Sequence, residues 1–241
     1  MKAASLRVLV TGFGSFPGVR NNASDSLVTA LGAHRARLAR LGIELQRAVL
    51  PVNYAGIGPA LQQLEETLEP DAILHFGLAA RHNCLSIETR ALNQVSRLHF
   101  DVSGARTHKH AIFPGAPQVE RSTFPYRQIE AALRRAGLRC RLSADAGNYV
   151  CNEALYLSLA HSDARSVGFI HVPLLARASR PLKASRNGRL TLTHLTRAAL
   201  IAILVTTRKL RQDLAEKCES TLAHHDFVES PATSCCYTRA R

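Results

Sequence analysis

Short apolar runs rich in β-branched residues alternate along this chain with stretches whose apolar residues recur every three or four positions. That alternation restricts the fold more than any other feature. The first run, RVLVT at 7–11, stops at Gly12 and opens into a loop of Gly, Pro and Asn, as a core strand followed by a turn would. Leu27, Ala30, Leu31, His34 and Leu38 then fall at helical spacing, with Ser24 or Asn22 at the cap position. A strand over 43–52, a helix opened by Pro59 and ended by Pro70, and a buried strand over 72–76 continue the pattern. Helix 124–136, strand 138–144, helix 151–161, strand 167–172 and helix 192–212 complete it. Strand and helix taking turns predict an α/β fold, a three-layer α/β/α single domain with a largely parallel, twisted central sheet. At 241 residues the chain is long enough for one such domain and short for two.

Elsewhere the rhythm breaks. Residues 85–93 alternate as one strand, with Leu85, Ile87, Thr89 and Ala91 on one side and Ser86, Glu88, Arg90 and Leu92 on the other, so Glu88 faces away from the apolar row. Residues 94–122 hold no sustained period and contain His108, His110, Pro114 and Pro117, which predicts a long loop, functional or mobile. From about Ala215 the chain turns polar, with His224, His225, Pro231, Cys235 and Cys236. The expected division is a folded domain over 1–214 and a disordered tail over 215–241.

The net charge of +13 comes from 31 Lys and Arg, of which five are lysine. The cations are dispersed in clusters at 34–40, 134–141, 177–189 and 208–211, and aromatic residues make up 5%. This fits a solvated basic surface better than nucleic-acid binding, which needs convergent charge with stacking or groove-reading side chains. Apolar residues are 46% of the chain, yet no run approaches the roughly 20 that a membrane span needs. The opening MKAASLRVLVTGFGSF lacks a signal-peptide apolar region, so the expected setting is cytoplasmic and reducing, with the six cysteines mostly free thiols. Neither His82 with Cys84 nor the His and Cys residues of the tail have paired metal-ligand spacing, and no metal or cofactor is expected.

Three residues at element edges have complementary chemistry. Cys151, in AGNYVCNEALY, stands where a helix begins, and unpaired amides there favour thiolate over thiol and can hold an oxyanion. A small buried core residue is an equally good reading of that position taken alone. His171, in VGFIHVPLL, ends an apolar strand, where open α/β sheets place their sites, although a lone histidine there is more often a packed core residue. Glu88 alone reads as a surface charge. Together they are the nucleophile, base and orienter of a thiol hydrolase. Phe13 and Phe16, in TGFGSFPG, are core residues or flat faces for a planar ligand ring. Gly12 and Gly14 lack the third glycine and immediate helix of a dinucleotide loop.

The stretches TGFGSFPGVRNNAS, LPVNY through EPDAILHFGLAAR, ETRALNQVSRL, AGNYVCNEALY and GFIHVP, spread over about residues 7–210, together resemble the pyroglutamyl peptidase I family. The resemblance implies an intracellular, cofactor-independent cysteine exopeptidase that removes an N-terminal pyroglutamate, and by the family's habit a homotetramer. It assigns Cys151 as nucleophile, His171 as general base and acid, and Glu88 as the group orienting the imidazole. It assigns Arg97 with the Cys151 amide to the oxyanion, Phe13 and Phe16 to the two faces of the pyroglutamyl ring, and Asn22 to the side of that pocket. The family's G-Q-A-G-G is here Gly77-Leu78-Ala79-Ala80-Arg81, leaving the Leu78 amide to meet the lactam carbonyl. Ala23 replaces the proline of the family's N-P-S, and Gly14 and Ser15 replace the usual acidic residue and proline. Flat apolar faces and backbone hydrogen bonds suit a neutral lactam, which has no amine for a carboxylate to bind. The alternatives are a member that binds such lactams without turnover and one that cleaves another small N-acyl amide.

Overall fold

A computed structural model of the protein describes residues 5–16, 18–175 and 190–226, with side chains described up to residue 217. Its elements run β1 (Leu6–Phe13), α1 (Ala23–Leu31), a 3₁₀ turn (Gly32–His34), α2 (Arg35–Arg40), β2 (Ile43–Leu50), α3 (Tyr54–Leu68) and β3 (Ala72–Leu78). There follow β4 (Leu85–Glu88), β5 (Arg90–Leu92), β6 (Val119–Arg121), α4 (Tyr126–Arg135), β7 (Cys140–Ser143), α5 (Val150–His161), β8 (Ser166–Val172) and α6 (Leu192–Asp226).

Six strands form one sheet in the order β2-β1-β3-β8-β4-β7. The first four are mutually parallel; β4 runs antiparallel to β8, and β7 parallel to β4. Both faces are covered, which is why the central strands read as unbroken apolar runs. Strand alternation sends Val8 and Val10, Leu74 and Phe76, and Ile170 and Val172 into one core with α1, α2, α4 and α6. Leu9 and Phe13, Ile73, and Val167 and Phe169 enter the opposite core with α3 and α5. The expected layered, largely parallel architecture is therefore present.

Several local expectations are corrected. The helix expected to open at Pro59 begins at Tyr54, because the Asn53 side chain accepts from Gly56 N and caps the first turn; Pro59 is accommodated inside it. The single strand expected over 85–93 is two. Past Glu88, whose carbonyl accepts from Ser122 Oγ at 2.8 Å, the chain leaves the main sheet and β5 pairs with β6 instead. That second strand, Val119–Arg121, lies inside the stretch expected to be loop. The helix expected over 192–212 continues to Asp226, through the first part of the segment expected to be a disordered tail. Residues 227–241, with Pro231, Cys235 and Cys236, and the cations Arg177, Arg180, Lys183 and Arg186 lie outside the described residues. Among the described residues no helix is long and apolar enough to cross a membrane.

Gly168 of β8 faces the Phe124 ring so closely that an added Cβ would overlap it. Gly168→Ala is expected to cost about 1–3 kcal/mol, an overpacking penalty, read as a lower urea midpoint with unchanged slope.

Candidate active site

The same alternation that builds the two cores assembles a polar cluster at the carboxyl end of β8. His171 shares the α3/α5 face with Phe169, and Ser86 and Glu88 of β4 turn to that face as well. Antiparallel pairing sets Ser86 opposite His171 and Glu88 opposite Phe169, so Glu88 lies diagonally across from the imidazole. His171 Nδ1–H donates to Glu88 Oε1 at 2.9 Å. Glu88 points away from the apolar row as its alternation predicts, but that side is covered by α5, and the residue is 0% exposed where a surface charge was the simpler expectation.

Cys151 reaches the cluster from the opposite layer, at the second position of α5. The cap residue Tyr149 makes no side-chain hydrogen bond to the first turn, which leaves its amides and the positive end of the helix dipole directed toward the thiol's surroundings. With Nδ1 occupied by Glu88, Nε2 is the ring nitrogen left to interact with the Cys151 side chain. Burial opposes charge on His171, but the hydrogen bonds to Cys151 and Glu88 outweigh it and raise its pKa to about 9. The sulfur sits against Gly77 of β3, the register partner of His171; a Cβ there would lie 2.9 Å from Sγ and 2.5 Å from the Phe169 ring.

The remaining residues singled out in the sequence divide. Phe13 is buried, its ring centroid 6.1 Å from that of Phe169, which in turn lies 4.6 Å from that of His171. Phe16 is half-buried against the same core and bridged to Val19. Asn22 caps α1, accepting from Ser24 N at 3.0 Å and donating to Gly14 O at 2.9 Å, so its described bonds brace the loop carrying the two phenylalanines. Leu78 sends its side chain to the core on the other face of the sheet, and Ala80 and Arg81 are exposed. Arg97 is exposed and donates from Nη1 to His110 Nε2 at 2.8 Å; no contact among the described residues joins it to Cys151.

Other supports were not singled out as site residues. Phe169 is two positions before His171, a spacing that already places it on the same face. Asn152 accepts from Leu92 N and donates to Leu92 O and Gln94 O, tying the cysteine's helix to β5. His82, whose ring centroid is 6.3 Å from that of His171, is bonded to Ser86 Oγ and Arg141 Nη2. Burial foremost, with the neighbouring Arg141 cation, lowers its pKa. A cleft of about 1010 Å³ at the amino ends of β1, β3 and β8 is lined by Arg7, Glu65, Asp71 and Arg165 among others, and by none of Glu88, Cys151 or His171.

These features describe a three-layer α/β protein with cysteine, histidine and glutamate joined at the end of its central strands. The family model for pyroglutamyl peptidase matches residues 6–209, and the chain belongs to that family. A pyrrolidone-carboxylate peptidase of Pyrococcus furiosus is 34% identical over 174 residues, 70% of this chain and 82% of that protein. One of Vibrio vulnificus is 32% identical over 210 residues, 86% of this chain and 95% of its own. The crystal structure of pyrrolidone carboxyl peptidase from Thermus thermophilus superposes with a TM-score of 0.72 at 34% identity, covering 82% of this chain and 99% of that one.

Two outcomes follow from the geometry. In Cys151→Ala the imidazole loses one of the two partners that oppose its burial, so the His171 titration midpoint, followed by NMR, falls below about 9. Gly77→Ala displaces the sulfur and is expected to lower kcat/KM about a hundredfold, with the circular dichroism spectrum retained.

Proposed function

We propose that the protein removes N-terminal pyroglutamate from peptides by thiol chemistry on Cys151. The observation that carries this reading is the convergence of Cys151, His171 and Glu88 in a chain of the pyroglutamyl peptidase family. His171 takes the thiol proton, and Sγ attacks the carbonyl carbon of the pyroglutamyl group. The oxyanion that forms is held by the first-turn amides of α5, Cys151 among them. His171 returns the proton to the leaving amine, the C–N bond breaks, and a thioester remains on Cys151. Water, deprotonated by His171, then releases pyroglutamate and restores the thiol. Glu88 keeps Nδ1 protonated and Nε2 facing the sulfur throughout.

Phe13 and Phe16 are assigned to the lactam ring, with the Leu78 amide as a hydrogen-bond partner and Asn22 holding their loop. The oxyanion role implied for Arg97 requires its release from His110. The chemistry needs a reduced thiol, in keeping with a cytoplasmic setting. No observation favours a binding protein without turnover: the Leu78 side chain occupies the opposite core rather than the substrate side.

Hydrolysis of a pyroglutamyl fluorogenic amide by the purified chain tests the reading. Cys151→Ala and His171→Ala should each lose about 10⁴-fold or more in kcat, and Glu88→Gln about 10²-fold or more, with folding intact. A wild type that is folded and silent, or a Cys151→Ala variant that turns over normally, would overturn it.

A further inference from the structure

Residues 97–110, RLHFDVSGARTHKH, carry Arg97, Arg106 and Lys109 together with three histidines, against one acid, Asp101. That acid is turned inward. Asp101 is buried, its Oδ1 accepting from Ser103 N, Ser103 Oγ and Ala105 N and its Oδ2 from Tyr54 N. The neighbouring acid on α5, Glu153, is half-buried and acts on Lys109, leaving Arg97, Arg106 and His108 to face solvent. These three, with Leu98 and Thr107, line an open cleft of about 440 Å³. Arg106 is held in place, its guanidinium carbon 3.8 Å from the centroid of the Phe100 ring, which reduces the entropy lost when it pairs with an anion.

This basic arch is anchored to the segment that carries the nucleophile. Ser96 N donates to Asn148 O at 2.7 Å, Tyr149 Oη to Phe100 O at 3.1 Å, and Asn152 Nδ2 to Gln94 O at 3.0 Å. The anchors therefore fall on residues just before and just after Cys151. A pyroglutamyl cap is neutral, so a cationic cleft there has nothing to recognise on the cap side of the scissile bond; any charge it reads lies on the leaving peptide.

Resting on the peptidase reading, we infer that residues 97–108 form a subsite for the leaving peptide that takes a carboxylate, either an acidic side chain or the peptide's own C terminus. Leu98, 79% exposed beside the cations, supplies apolar surface for the aliphatic part of such a residue.

The test is kcat/KM on C-terminally amidated pyroglutamyl tripeptides and tetrapeptides with Ala, Glu or Lys placed in turn at each position after the cap. An all-Ala peptide with a free C terminus is added to separate the two sources of carboxylate. At low ionic strength at least one Glu position, or the free C terminus, should exceed its Lys or amidated counterpart by about two- to fivefold, the scale of an exposed ion pair. The advantage should shrink at high salt. Arg106→Gln should narrow it while leaving the all-Ala amide unaffected. Equal turnover across the panel, a preference for Lys, or an advantage indifferent to Arg106→Gln would overturn the subsite alone. Failure to cleave any peptide, the simple fluorogenic amide included, would overturn the peptidase reading and the subsite with it.

Discussion

The hydrogen bond from His171 Nδ1 to Glu88 Oε1 is the constraint on which the rest of the site depends. Both groups are buried, and the second oxygen of Glu88 has no hydrogen-bond partner among the described residues. A carboxylate taken out of water and only half satisfied destabilises a fold unless a cation or a strong donor faces it. His171 is that donor. The imidazole is likewise buried, and its raised pKa reflects partners on both nitrogens overcoming desolvation. Glu88 and His171 are thus each tolerable inside the protein because of the other, and the bond between them turns the far side of the ring to the sulfur.

Bringing these residues together requires β4 to enter the sheet against the direction of its neighbour. Glu88 is the last residue of β4 and His171 the next-to-last of β8, and in an antiparallel pair two such ends do not lie level. The register therefore places Ser86 opposite His171 and leaves Glu88 to reach back across one diagonal. On the other side of β8, the parallel strand β3 offers Gly77 level with His171, where the absent side chain leaves room for the Cys151 sulfur and the Phe169 ring. One strand direction and one glycine together set how closely helix and sheet approach at the nucleophile.

Much of this was legible in the sequence because it follows from periodicity. The layered sheet, the strand carrying His171 and the helix opening beside Cys151 each came from a short apolar run or a helical spacing. Alternation also gave the side to which Glu88 turns. It could not give what lies on that side, since a strand covered on both faces by helices looks the same at Glu88 as one with a wet face. The split at Thr89 was hidden for a related reason: period-two alternation continues through 85–92, and the departure toward β6 is imposed by Ser122, over thirty residues away, through its bonds to Glu88 O and Thr89 O. The extent of α6 is not legible in the sequence because a polar stretch without a packing face can still continue a helix already begun. Asn22 and Leu78 illustrate the limit of carrying motifs over: the first is engaged in capping a helix, and the second packs its side chain against the core on the other face of the sheet.

The position of α5 has a further cause that apolar packing does not supply. A helix whose buried residues include Val150, Ala154, Leu155 and Tyr156 can slide or rotate over a greasy face at modest cost, and a nucleophile in its first turn would move with it. Directional bonds fix it at both ends. Near the N-terminus Asn152 bonds to the β5 backbone and to Gln94 O. Two turns later Ser158 Oγ donates to Glu65 Oε1 at 2.9 Å and faces His75 Nε2 at 3.2 Å. The Glu65 carboxylate accepts the serine proton, which makes His75 Nε2–H the donor to Ser158 and leaves Nδ1 to accept from Thr11 Oγ1 at 2.7 Å. Burial holds His75 down to a pKa of about 3, so the imidazole stays neutral around neutral pH. Two histidines on the same face of the sheet are thereby given opposite characters: His75, with hydroxyl partners, stays neutral and locks the helix to the sheet, while His171, between a carboxylate and a thiol, stays able to carry charge.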